Sequence, residues 1–408
     1  MGIGWGALSA ATTATSTITT IKQMEIIVLG GGAIGLAVAW EMALRGADVT
    51  LLERGTIGGG TSWAAAGILP AAQSDRERSA GQRDPLDALR AHSHGLYPQW
   101  AQRIEEQSGI DVGFRRCGGL YLASTAGEAA ALIAGLDYWH SDGIAAQRLS
   151  PEELAQQEPA LASWAHSPRF RAAVHIEDER QVRPPDLVRG LVAACAAAGV
   201  RIREHVEVSL QRRGDQAVLR TGDQSLLQQW SAKPTIVLCG GVWSGQAAAE
   251  FGLGMSLVPI RGQILLYRFD NPRFRSIINE GHRYLVPRDD GHVLVGSCEE
   301  EVGFTPGTTP EMLGMLAAWA GDVVPDLRSL QPVKSWSGLR PGTFDGFPII
   351  GRVPEVDNLL IASGHYRSGI HLAPATAEVT ADLIQHQSPV VAPAAFAAGR
   401  MFLTSTTI

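Results

Sequence analysis

Residues 24–55, MEIIVLGGGAIGLAVAWEMALRGADVTLLERG, constrain the fold more than any other stretch. Ile26 to Leu29 are continuously apolar, as in a short strand buried on both faces. Gly30, Gly32 and Gly35 take the fixed positions of G-x-G-x-x-G. The first permits a tight turn and the second lets backbone approach a pyrophosphate. The third lets the next helix lie against the strand, its N-terminus aimed at phosphate. Ala33 to Leu44 are helix formers, Gly46 is a C-terminal stop, and DVTLLE reads as a second parallel strand. Glu53 ends that strand where an acid accepts hydrogen bonds from a ribose diol. The order is that of a dinucleotide-binding unit, but the motif leaves NAD and FAD both open.

The following loop, GGGTSWAAAGIL (58–69), favours FAD. A plain NAD-binding unit returns to the sheet soon after its second strand. Here Thr61 and Ser62 offer hydroxyls, and Ala64 to Gly67 offer backbone without bulk. That suits a loop running along a pyrophosphate towards a large planar ring.

Further along, helices are expected from about Pro85 to Gln107, after the Ser150-Pro151-Glu152-Glu153 capping box, and over 183–198 before Gly199. TIVLCGGVWSG (235–245) and NLLIASGHYRSGIHLAPATAEVTADLI (358–384) each read strand, glycine loop, helix, the last helix starting near Pro374. RGQILLYRF, HRYLVP and HVLVGS alternate like antiparallel strands. The expected fold class is α/β: a discontinuous Rossmann-like FAD-binding domain (24–111, 171–249 and 336–388) with an inserted, mostly antiparallel-sheet substrate domain (112–170 and 250–335). Residues 1–23 and 389–408 read as tails, the first disordered.

Composition narrows the partners. The chain is 45% hydrophobic and 18% charged, with net charge −7 and no Lys/Arg run, so neither nucleic acid nor a membrane is an expected partner. The four cysteines, Cys117, Cys195, Cys239 and Cys298, form no CxxC pair, as in a reduced, cytoplasmic protein. The histidines lack metal-ligand spacing, so no metal is expected.

Arg340 stands out in GLRPGTFDGFPIIG (338–351). The stretch reads as a tight, apolar-flanked turn whose nearest acid is Asp345. An unpaired buried charge costs on the order of several kcal/mol, so this arginine needs a partner. Arg367, in GHYRSGIHLAPAT (364–376), is either a site residue or a solvated loop arginine. Tyr284, on a strand, is either a site residue or sheet packing.

Taken in order, GGGTSWAAAGIL, GGVWSG, GLRPGTFDGFPIIG and GHYRSGIHLAPAT resemble the glycine oxidase and D-amino-acid oxidase family of FAD-dependent amine oxidases, over about Met24 to Gln385. The resemblance implies FAD contacts at Ala33 and Ile34, at Glu53 and Arg54, and at Thr61 and Ser62. It adds Ala66, Gly67 and Ile68, the backbone of Val208, and the run His365, Tyr366, Arg367, Ser368, Gly369, Ile370 and His371. It makes Arg340 the clamp for a substrate carboxylate, whose planar fork makes two parallel hydrogen bonds. Tyr284 matches a tyrosine beside that carboxylate, and Arg367 an active-site arginine. Arg340 is therefore expected to pair with substrate and with no other side chain.

Related sarcosine oxidases attach FAD through a cysteine. That position is Gly338 here, which implies noncovalent FAD. Glu299, in GSCEEEVGF, replaces an apolar residue of a relative, so the outer pocket departs from the pattern. The implied reaction takes glycine to its imine and oxygen to hydrogen peroxide, with a hand-off to a thiazole synthase. A D-amino-acid or sarcosine enzyme, a quinone-linked dehydrogenase, a flavin-binding scaffold without turnover and a homo-oligomer all stay open.

Overall fold

The computed structural model describes residues 24–72, 84–231, 233–253 and 257–400; residues 1–23 and 401–408 lie outside the described residues. Two large sheets dominate. The first has six strands, in the order 349–352, 359–363, 235–238, 25–29, 48–52 and 201–203. All neighbours run parallel except the 349–352 and 359–363 pair. Its central strand, Glu25–Leu29, is buried on both faces, which is why it reads as a continuous apolar run. Helices Ala33–Leu44, Pro85–Ser108, Pro184–Ala197 and Gly369–Ile384 pack together around Leu36, Trp40, Tyr97, Leu191 and Ala373. A Cβ on Gly35 would lie 1.9 Å from the Gly30 carbonyl oxygen, so the close approach of helix to strand needs glycine.

The second sheet has eight strands, in the order 334–342, 258–268, 292–296, 283–287, 277–280, 119–123, 172–176 and 146–149. Only the 277–280 and 119–123 pair is parallel. One face, with Leu265, Ile278, Leu285 and Val295, packs against Trp164, Leu316 and Trp319. The other carries a row in direct register: Tyr121, Asn279, Tyr284, Gly296, Ile264 and Trp336. Directly opposed residues share a face, so this row forms one wall.

Four expectations need correction. Strands Ala172–Ile176 and Lys334–Gly342 belong to the second sheet, so the boundaries expected at 171 and 336 fall at strands of the other sheet. Arg340 lies within the nine-residue strand Lys334–Gly342 rather than in a turn. Pro341 and Gly342 suggest a turn locally, yet Pro341 pairs opposite Pro259 on an edge strand, where a missing N–H is tolerated.

The last helix begins at Gly369, and Pro374 sits inside it. Proline cannot donate to the Ile370 carbonyl, and the Tyr97 hydroxyl donates to it instead at 3.0 Å. Finally, part of the supposed C-terminal tail packs: Phe396 is fully buried against Phe347, their rings 6.0 Å apart. Among the described residues no helix is long and apolar enough to cross a membrane.

Candidate active site

A cavity of about 1220 Å³ is lined by both large sheets. It exceeds the roughly 300–1,000 Å³ of ordinary small-molecule sites, leaving room for a dinucleotide and a small substrate together. At one end Gly30 has φ +108°, and a Cβ there would lie 2.6 Å from the Cys239 carbonyl oxygen. The first amide of the Ala33–Leu44 helix donates to Ser62 Oγ at 2.9 Å. Glu53 accepts from the amides of Gly31 and Gly55, each at 2.8 Å. The carboxylate is thereby fixed at the cavity wall. Arg54 lies over the Trp243 ring at 4.1 Å, a cation–π contact.

Gly30, Gly32, Ala33, Ile34, Thr61, Ser62, Ala66, Gly67, Ile68 and Val208 line the cavity with Glu53 and Arg54. Gly35 lies behind, where it serves packing.

The loop over 58–69 is pinned to the second sheet. Thr61 Oγ1 donates to the Leu339 carbonyl at 2.6 Å, and Trp336 Nε1 donates to that of Ala64 at 3.1 Å. Trp63 meets Trp336 edge to face, with Lys334 over its ring. A Cβ on Gly338 would lie 2.9 Å from that of Ala64, so strand and loop touch there.

Arg288, which the sequence reading missed, donates from Nη2 to the Ala66 carbonyl at 2.7 Å and from Nη1 to the Val182 carbonyl at 2.9 Å. Burial lowers its pKa to about 10. No local pattern announces this residue, because its partners are more than 100 positions away.

Arg340, Tyr284 and the run His365 to His371 also line the cavity. The Arg340 guanidinium lies over Gly262 on the next strand, where a Cβ would come within 2.2 Å of Nη2. Its Nη1 donates to the Cys298 carbonyl at 2.9 Å and its Nη2 to Ser297 Oγ at 2.5 Å. The expectation that no other side chain pairs with Arg340 is thus corrected, since the Ser297 hydroxyl does. Both partners are neutral, and among the described residues no carboxylate forms an ion pair with it. Tyr284 is buried, its ring over Gly296, where a Cβ would lie 2.6 Å from the hydroxyl oxygen. These two glycines leave room for the arginine fork and the phenol on one face of the sheet.

Past the 359–363 strand, the Tyr366 amide donates to the Pro341 carbonyl at 2.9 Å, setting this loop beside Arg340. Burial lowers the pKa values of His365 and His371 to about 3, so both are neutral at physiological pH. His365 Nε2 meets Thr376 Oγ1, while buried His371 Nε2 has no partner among the described residues. A buried polar atom on a cavity wall fits a polar ligand edge. The helix from Gly369 adds a partial positive charge at that wall. Arg367 is solvent-exposed but not free: Nη1 meets Glu299 Oε1 at 2.7 Å.

Tyr121 and Asn279 line the cavity above a fully buried acid, Glu179. The Tyr121 hydroxyl donates to Glu179 Oε2 at 2.6 Å and Asn279 Nδ2 to Oε1 at 3.1 Å. Burial pushes the Glu179 carboxyl from 4.5 up to about 7, against the pull of these two bonds. Below about pH 4.5 the acid is protonated in the folded and unfolded chains alike. From there to about pH 7 only the unfolded chain ionises, so stability falls as pH rises and the loss is complete above about 7. At about 1.4 kcal/mol per pKa unit, Glu179→Gln removes a penalty on the order of 3 kcal/mol at most. Its melting temperature is expected to exceed that of the wild type at pH 8 and to match it near pH 4. An equal difference at both pH values would show that Glu179 is not protonated on folding.

A protein-family model described as "FAD dependent oxidoreductase", the DAO model, matches residues 25–383. A curated glycine oxidase from Pseudomonas aeruginosa is 35% identical over 381 residues, covering 92% of this chain and 99% of that one. The crystal structure of glycine oxidase from Geobacillus kaustophilus superposes with a TM-score of 0.83 at 32% identity, over 92% of this chain and 98% of the other. A bifunctional protein ThiO/ThiG from Trichormus variabilis is 30% identical over 89% of this chain and 53% of its own length.

Proposed function

Since this chain belongs to the DAO family of FAD-dependent oxidoreductases, we propose that it oxidises glycine and other small amino acids to their imines, with oxygen reduced to hydrogen peroxide. The observation that carries this reading is Arg340: a cation on the cavity wall, held over Gly262 by a hydroxyl and a carbonyl and left without an acid. Such a group is poised for a carboxylate brought by the substrate. Two curated relatives carry the name glycine oxidase, which supports glycine as the substrate here.

The residues above would hold FAD by its phosphates at the helix from Ala33, by its ribose at Glu53, and by its ring along Ala66 to Ile68. Bound FAD supplies a hydride acceptor that passes its electrons on to oxygen. The chain's own work is positional. Arg340 fixes the carboxylate, and Tyr284 closes the same pole and orients it. The substrate's α-carbon is held between the sheet row and the cofactor site. His365 and His371 are neutral, so the amine meets no cationic imidazole at that wall.

Reading the product as a precursor of the thiamine thiazole ring is supported by the relative whose name joins ThiO to ThiG. FAD is held noncovalently, because Gly338 offers no thiol and burial pushes the thiol of Cys239, which lines the cavity beside Gly30, far above its usual range. The purified protein is expected to be yellow, to release free FAD on denaturation, and to bleach when glycine is added without oxygen. Colour that stays on the denatured chain would contradict the noncovalent mode, and colour unchanged by glycine the activity.

A further inference from the structure

The segment 297–299 serves two cations at one opening. Ser297 and Cys298 take the Arg340 fork at 2.5 and 2.9 Å, and the next residue, Glu299, takes Arg367 at 2.7 Å. Glu300 is committed elsewhere, to Arg261 at 2.8 Å and Gln263 at 2.8 Å. The bond from the Tyr366 amide to the Pro341 carbonyl sets the chain before Arg367 against the chain after Arg340. Two arginines therefore flank the cavity, one held by neutral groups and one neutralised by an acid. Glu299 also accepts from the Tyr366 hydroxyl. Burial works against its charge, but that bond and Arg367 hold its carboxyl below the ordinary range, so it is ionised at neutral pH.

We infer that Glu299 is a specificity-determining residue. By occupying Arg367 it restricts the enzyme to amines bearing a single carboxylate, and without it Arg367 becomes a second anion seat for iminodicarboxylates. The inference rests on the carboxylate-clamp reading of Arg340. A second carboxylate entering the wild-type mouth meets the Glu299 charge and an Arg367 already neutralised, with Nη1 on Glu299 and Nη2 on the His282 carbonyl at 3.3 Å. With Glu299 neutral, the same guanidinium can take that group in charge-assisted hydrogen bonds. The side chains of Arg367 and Glu299 are 35% and 34% exposed, so the pair can be altered without disturbing a core.

The test titrates the FAD-loaded protein with acetate and with glutarate, whose chain matches iminodiacetate in length, reading the flavin absorption spectrum. It compares wild type, Glu299→Gln, and the double variant Glu299→Gln/Arg367→Gln, whose pair is net neutral like the wild type. In Glu299→Gln the affinity ratio of glutarate to acetate is expected to rise about tenfold or more. It should return towards the wild-type ratio in the double variant. The preference for iminodiacetate over glycine in turnover should move the same way. An unchanged ratio in Glu299→Gln, or a rise that survives in the double variant, overturns the inference. If the variants give either result while the wild type binds acetate and oxidises glycine, only this inference is lost. A wild type whose flavin ignores acetate loses the carboxylate reading, and this inference with it.

Discussion

Arg340→Lys is expected to raise the KM for glycine by roughly tenfold to a hundredfold, with the flavin spectrum and melting temperature almost unmoved. Lysine keeps the charge but loses the two-pronged fit. A charge-assisted hydrogen bond is worth about 1.5–3 kcal/mol, and about 1.4 kcal/mol is tenfold in affinity. Because the clamp acts on the carboxylate before and during reaction alike, most of the loss should fall on KM. Arg340→Ala should be worse. Its protein partners are a hydroxyl and a carbonyl at a half-buried position, where water can replace it, so stability should change by about 1 kcal/mol or less. A purely structural arginine gives the opposite pattern, with stability and FAD retention lost together. An amine without a carboxylate provides the control, since its poor turnover should be indifferent to the change. Intact glycine affinity in Arg340→Ala would overturn the clamp.

Gly262→Ala tests the same clamp without touching it. The new Cβ would fall within 2.2 Å of Nη2 and 2.6 Å of Nη1, so the guanidinium has to move. It is the far end of a flexible side chain, and the strand can keep its register while the fork turns away. Misplacing a positioning group by about 1 Å can cost on the order of a hundredfold in rate. Both kcat and KM should suffer, unlike the KM effect of Arg340→Lys, because the displaced fork grips the carboxylate less well and misaims the α-carbon. FAD content should match the wild type. Normal glycine kinetics in a variant that retains FAD would mean that the position of the fork does not matter.

How much of this was readable in the sequence follows from how local each signal is. The turn at Gly30, the helix from Ala33 and the acid at Glu53 lie within 30 residues and obey backbone rules that a sequence displays. The capping box at Ser150 and Glu153 is equally local, and the structure contains it. The strand holding Arg340 was misread because Pro341 and Gly342 signal a turn. Only its pairing with the 258–268 strand overrides them.

The partners of the site arginines were hidden for another reason. Glu299 is 68 positions from Arg367, and Arg288 is 222 from Ala66. Gly262 reads as an ordinary strand glycine until the neighbouring strand lays Arg340 across it. The start of the last helix was placed late because Pro374 usually opens a helix. Here Tyr97, 273 positions from Ile370, supplies to the Ile370 carbonyl the donor that lets the proline stay inside.

Oxygen uptake and peroxide release with glycine, sarcosine, D-alanine and ethylamine test the central claim most directly. The account predicts one peroxide per oxygen with glycine, turnover by the other carboxylate-bearing amines set by their fit, and almost none with ethylamine. Ethylamine turning over as well as glycine would contradict it by removing the role of Arg340. So would flavin reduction by glycine that an artificial quinone reoxidises but oxygen does not, since the protein would then be a dehydrogenase.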